Sequence, residues 1–180
     1  MDDDRLDALL ADAIAAEQAR ERVDERFLRR ASEEEATFVG LLVALAEEGS
    51  TVAVRTAMGR LHRGRIDAVG RDVVVMRDAE GRRVLLATPA IASVRTEGAS
   101  VRDADLPPAR DVPRPLSFVA LAAVLAEARP EVRVAIVGED VLVGGTLRSV
   151  GRDLITVRRP PGSTDHVPVA AIVEMVLLDD

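Results

Sequence analysis

Gly64–Asp72 reads GRIDAVGRD, and Gly145–Asp153 reads GTLRSVGRD. The stretch occurs twice, and the overlay extends outward from it. With a fixed shift of 81 and no gap, residues 64–94 lie over 145–175 with nine identities. These are Gly64/Gly145, Val69/Val150, Gly70/Gly151, Arg71/Arg152, Asp72/Asp153, Arg77/Arg158, Gly81/Gly162, Ala90/Ala171 and Ile91/Ile172. Roughly two or three would match by chance in so biased a composition, so the chain contains an internal repeat. Several other positions exchange one apolar residue for another, as at Ile66/Leu147 and Val74/Ile155. Upstream the shift is 80, and Phe38, Leu41, Leu45 and Glu47 lie over Phe118, Leu121, Leu125 and Glu127.

Each copy reads as a helix followed by short strands. Phe38, Leu41, Leu42 and Leu45 recur at helical spacing, as do Phe118, Leu121, Ala122 and Leu125. Ser32 with Glu35 has the form of a capping box, which predicts a helix over about 33–48 stopped by Gly49. In the second copy Ser117 is the candidate cap and Pro130 the stop. Alternation at Val52 and Val54 and at Val132 and Val134 begins the strands. A glycine inside the second strand, Gly64 or Gly145, marks a sharp bend. Val-Gly-Arg-Asp then forms a hairpin turn. Further strands follow at Val73–Met76, around the Gly81 turn, and at Ala92–Arg95, with counterparts in the second copy. Arg71-Asp72 and Arg152-Asp153 read as turn-stabilising residues, the Asp binding local amides.

Residues 3–30 contain neither Gly nor Pro and read as a long amphipathic helix. Its stripe is Leu6, Leu9, Leu10, Ala13 and Ile14, continued by Val23, Phe27 and Leu28. That stripe packs on the chain's own β modules or forms a dimer seam. The domains are therefore 1–31, 32–95, a Pro- and Asp-rich linker over 96–115, and 116–180.

A helix and five short strands with a bent second strand resemble the Sm-like family of small barrels. Val52, Val54, Gly59, Gly64, Ile66, Val69, Gly70, Asp72, Val74 and Met76 carry the resemblance in the first copy. It implies an α+β, mainly β fold: two tandem five-stranded small barrels, each preceded by a helix, behind the long N-terminal helix. It also implies lateral assembly through the edges of strands four and five, and RNA binding by loop residues. The chain departs from the family in having no Asn for the base contact. The family's closing Arg-Gly becomes Arg95-Thr-Glu-Gly98 in the first copy, and the second copy ends Met175-Val-Leu-Leu178.

Composition narrows the function. The chain has 180 residues, 48% apolar but only 2% aromatic, with no Trp, Tyr or Cys. Thiolate chemistry and disulfides are excluded, and two His make no His-based metal site. No P-loop, G-x-S-x-G or H-E-x-x-H occurs, so no enzyme, cofactor or metal is predicted. The absence of a long apolar span predicts a cytoplasmic protein with no membrane partner.

Net charge is −7, yet residues 49–95 hold nine Arg against four acids. Arg55, Arg60, His62, Arg63, Arg65 and Arg71 are the candidate nucleic-acid-binding residues, able to contact phosphates of RNA or other single strands. The bland reading of the same residues is a solvated strand face. Two functions follow as expectations: a nucleic-acid-binding or regulatory module acting through the basic first copy, or an assembly protein that forms a homo-oligomer, a dimer or pseudo-ring. In the second, the edge strands or the N-terminal helix join further chains.

Overall fold

The computed structural model describes Gln18, Arg22, Arg26, Arg30, residues 34–97 and residues 115–178. The first repeat contains α1 (Phe38–Glu48), β1 (Thr51–Thr56), β2 (Leu61–Val69), β3 (Val73–Asp78), β4 (Arg83–Ala87) and β5 (Ile91–Thr96). The second contains α2 (Phe118–Ala128), β6 (Glu131–Ile136), β7 (Val143–Val150), β8 (Leu154–Arg158), β9 (Thr164–Pro168) and β10 (Ile172–Leu178). A single turn of 3-10 helix links β4 to β5 and another links β9 to β10.

The two expected five-stranded barrels are replaced by one open, ten-stranded antiparallel sheet. Its order is β5-β1-β2-β3-β4-β10-β6-β7-β8-β9. Each repeat contributes its five strands in the same relative order. The single sheet arises at β4, whose outer edge would otherwise leave unpaired N–H and C=O groups. It pairs instead with β10 of the second repeat, setting Val84 opposite Val176, Leu85 opposite Met175 and Leu86 opposite Glu174. The apolar residues of these two strands serve two cores. Val84 and Leu86 join a cluster built from α1 and the first repeat, which also takes in Val176. Leu85 and Val73 join the cluster of the second repeat with Met175 and Leu177. Strands covered on both faces carry unbroken apolar runs, as Val84-Leu85-Leu86 does.

Most of the expected long N-terminal helix lies outside the described residues. Its predicted stripe lies outside the described residues, and Gln18, Arg22, Arg26 and Arg30 are helical and exposed. The helices among the described strands are two short ones of 11 residues each. The first begins at Phe38, not near Ser32, because the Thr37 side chain accepts the Gly40 N–H at 3.0 Å. Ser117 caps α2 in the same way through the Ala120 N–H. Gly49 and Arg129, at equivalent positions, both turn left-handed to end their helices.

The internal glycines bend the sheet where the sequence places them. The backbone of β3 passes directly over Gly64, so an added Cβ would overlap the Arg77 carbonyl. Gly145 meets the Arg158 carbonyl in the same way, at φ 153°. Both second strands then bulge at equivalent places, between Ile66 and Ala68 and between Leu147 and Ser149. Gly64→Ala is expected to destabilise the chain by at least about 2 kcal/mol, because backbone and not a side chain must move. Chemical denaturation of the two proteins measures the difference.

Candidate functional site

Six basic residues stand out in the first repeat, and strand alternation sends them to different places. On β2, His62, Gly64 and Ile66 face inward while Leu61, Arg63 and Arg65 face solvent. Arg63 Nε donates to Glu97 at 3.0 Å, and Arg95 also approaches Glu97. Arg65 is exposed beside Arg63. Arg55 points to the β1–β2 turn, where it donates to the Gly59 carbonyl. Arg71 sits in the β2–β3 hairpin, and its backbone N–H donates to Leu116 at 2.8 Å. The structure thus brings Arg63 and Arg65 together and separates the other four from them.

Arg60 and His62 turn to the joint between the repeats. Glu174 of β10 is only 1% exposed, and it receives both of them. Arg60 Nε donates to Oε1 at 2.5 Å and His62 Nε2 donates to Oε2 at 2.5 Å. Burial by itself pushes the Glu174 carboxyl up. The hydrogen bonds and charges of His62 and then Arg60 more than offset this, holding it below the ordinary carboxylate value. A buried carboxylate without such partners would be strongly unfavourable. Glu174 therefore makes the β4–β10 pairing depend on two residues of β2 and its preceding turn.

A second clasp lies near the same end of the joint, where Val73 pairs with Ala87. The Asp72 side chain accepts the Phe118 N–H at 2.8 Å, at the first turn of α2. Its carbonyl accepts the Thr88 N–H, so the hairpin is tied to its own repeat as well. Phe118 is 2% exposed and belongs to the same core cluster as Val73 and Leu85 of the first repeat. Asp72 is thus a joint residue, beyond the local turn role read from the sequence. Its Phe118 contact is long-range, so only the repetition of Arg-Asp pointed to it. Ala57, Met58, Pro89, Ala90, Val137 and Val169 line an apolar cleft of about 300 Å³ alongside this clasp.

Strand register exposes a feature that linear reading missed. Arg65 lies opposite Arg77, and Arg77 lies opposite Arg83. Three Arg therefore stand in one row across β2, β3 and β4. The β3–β4 turn that aligns them is tied by Asp78, which accepts from the Glu80 and Arg82 backbones and from Arg82 Nε. Burial raises the Asp78 carboxyl, but the Arg82 contacts hold it below its ordinary value. The pairing of residues 77 and 83 about that turn was the available sequence signal.

Among the described residues no cluster of three His, Asp or Glu is placed to hold a metal ion, and no helix is long and apolar enough to cross a membrane. Comparison with known protein families, with curated proteins and with solved structures finds no match.

Glu174→Gln keeps the shape and removes the charge. It is expected to cost about 2 kcal/mol at neutral pH. Because the folded carboxyl titrates below its ordinary value of 4.5, its contribution is full above that pH and is lost as pH falls through the folded value. Denaturation of both proteins from neutral to acid pH should show the gap closing below about 4.5. A gap that is constant across that range contradicts the assignment.

Proposed function

We propose that this chain is a non-enzymatic assembly protein whose second binding surface is a copy of its own internal joint. One observation carries the reading: the sheet ends in the two unpaired halves of the joint that it contains in its middle. β4 meets β10 inside the chain, and the equivalents of those strands, β9 and β5, are the free edges among the described strands.

Shifting the internal register by 81 generates the contacts between chains. Leu86/Glu174 becomes Val167/Ser93, Leu85/Met175 becomes His166/Val94, and Val84/Val176 becomes Asp165/Arg95. The edges are polar, as free edges usually are. Here the polarity is complementary, with Asp165 on β9, which also pairs with Arg159, facing Arg95 on β5, which also approaches Glu97.

Exposed apolar side chains fit the same scheme. Phe118 is 2% exposed in the internal joint, whereas its counterpart Phe38 is 41% exposed. Val73 is fully buried there, whereas its counterpart Leu154 is 37% exposed. Val141, at the position equivalent to Arg60, is 69% exposed. In the joint between chains, Phe38 covers Leu154, and Asp153 receives the Phe38 N–H as Asp72 receives that of Phe118. Ser93 stands where Glu174 stands in the internal joint, so no buried charge is left beside Val141 and Val143. A head-to-tail contact of this kind closes into a ring or extends as a filament, according to the rotation at each joint.

The resemblance to Sm-like proteins belongs to the same proposal, since it implies joints between fourth and fifth strands. The basic residues supply weaker support for a function centred on them, because Arg60 and His62 are engaged by Glu174 and Arg63 by Glu97.

Light scattering across a concentration series is expected to yield multiples of 19.3 kDa. Asp165→Arg should weaken association roughly tenfold, and adding Arg95→Asp should restore it. A monomer at every concentration removes the proposal.

A further inference from the structure

The row Arg65, Arg77 and Arg83 is unused by the assembly contacts, which lie on the sheet edges and inner surfaces. Residues directly opposite each other in antiparallel strands interact, and like charges in such positions are unfavourable. Here three like charges occupy successive strands. Arg77 is offset by Asp67 at 3.0 Å. Among the described residues, neither Arg65 nor Arg83 has an acidic partner.

The second repeat shows that the fold does not need the row. Its equivalent positions are Thr146, Arg158 and Thr164, paired in the same register. Only the central Arg is common to both copies. The flanking charges are therefore a property of the first repeat's surface and not a requirement of the sheet.

The row belongs to a wider face. Arg63 and Arg95 lie on it, bridged by Glu97, with Ala53 between them in the pairing. Five Arg thus face Asp67 and Glu97, while Asp78 and Glu80 in the adjoining turn are held by Arg82. A shallow depression of about 560 Å³ runs beside Thr51, Gly64 and Ala79, bordered by Arg63, Arg65 and Arg77 and by Asp67, Asp78 and Glu97, of which Asp67 is paired with Arg77, Asp78 with Arg82 and Glu97 with Arg63. Adjacent strands lie about 4.8 Å apart. Long flexible Arg side chains at that spacing can meet successive phosphates of an extended strand.

We propose that this face binds a single phosphodiester strand, DNA or RNA alike, through its phosphates. Arg supplies forked donors that match phosphate oxygens. The chain has no Trp or Tyr, and its described Phe residues are on the helices, so the face has no stacking platform for bases. Binding is accordingly independent of base sequence and of the sugar. This function does not rest on assembly, and Arg95 alone is common to the two surfaces.

The test uses the whole chain with fluorescent single-stranded DNA and RNA oligonucleotides of mixed sequence, followed by anisotropy over a salt series. Contact with three phosphates predicts an affinity falling about 20-fold between about 50 and 200 mM salt, equally for DNA and RNA. The variant Arg65→Thr/Arg83→Thr copies residues that the second repeat already carries in the same sheet positions, so it should keep its fold, as circular dichroism checks. It is expected to lose most of the binding at low salt and most of the salt dependence. Arg158→Thr in the second repeat should leave both unchanged. The proposal is overturned if the wild-type chain binds neither strand at low salt, if the double variant binds as well as wild type, or if one base composition is strongly preferred. Tight capture of inorganic polyphosphate with no binding of either oligonucleotide also overturns it.

Discussion

The pairing of β4 with β10 decides what the rest of this molecule can be. Three facing residue pairs join the repeats. Their side chains alternate into two cores, so neither core is complete without residues of the other repeat. Within that short contact one position is a carboxylate. Burying Glu174 is tolerable only because Arg60 and His62 meet both of its oxygens. Removing either repeat would therefore expose apolar surface and strand the charge as well.

Duplication gave the chain two similar halves, and differences between equivalent positions divide their labour. Glu174 corresponds to Ser93, and His62 to Val143. The internal joint is thus ionic at its centre, while the joint proposed between the outer edges of the sheet has Ser93 at that position and carries its charges at Asp165 and Arg95. Charge complementarity at an edge selects register and partner more than it adds affinity. A permanent internal joint and a reversible external one are a consistent use of this difference. The Arg row is a third divergence, confined to the first repeat and pointing away from both joints.

Much of the local structure was legible in the sequence. Gly64 and Gly145 marked the bends because no side chain fits beneath the following strand. Val-Gly-Arg-Asp marked the hairpins, and the two Phe-led stripes marked the helices. The helix start was misread because Ser32 and Glu35 satisfied a local capping rule, while Thr37, matching Ser117, was the cap in fact. The union of the sheets was harder to see. The run Val173–Leu178 announced a strand in need of a partner, but sequence alone does not say which edge supplies it. Glu174 lies inside that run, and its partners are 114 and 112 residues away. The basic cluster is divided between two faces for a simpler reason. Alternation along β2 sends His62 inward and Arg63 and Arg65 outward, and the cross-strand Arg77 and Arg83 become neighbours only through register.

Native-state hydrogen exchange at the amides of residues 84–86 and 174–176 tests the central claim most directly. If the joint makes the repeats one cooperative unit, these amides exchange only with global unfolding, and more slowly than those of residues 93–95 on the free edge. Exchange at the joint as fast as at that edge would contradict the account, because the two repeats would then be opening independently.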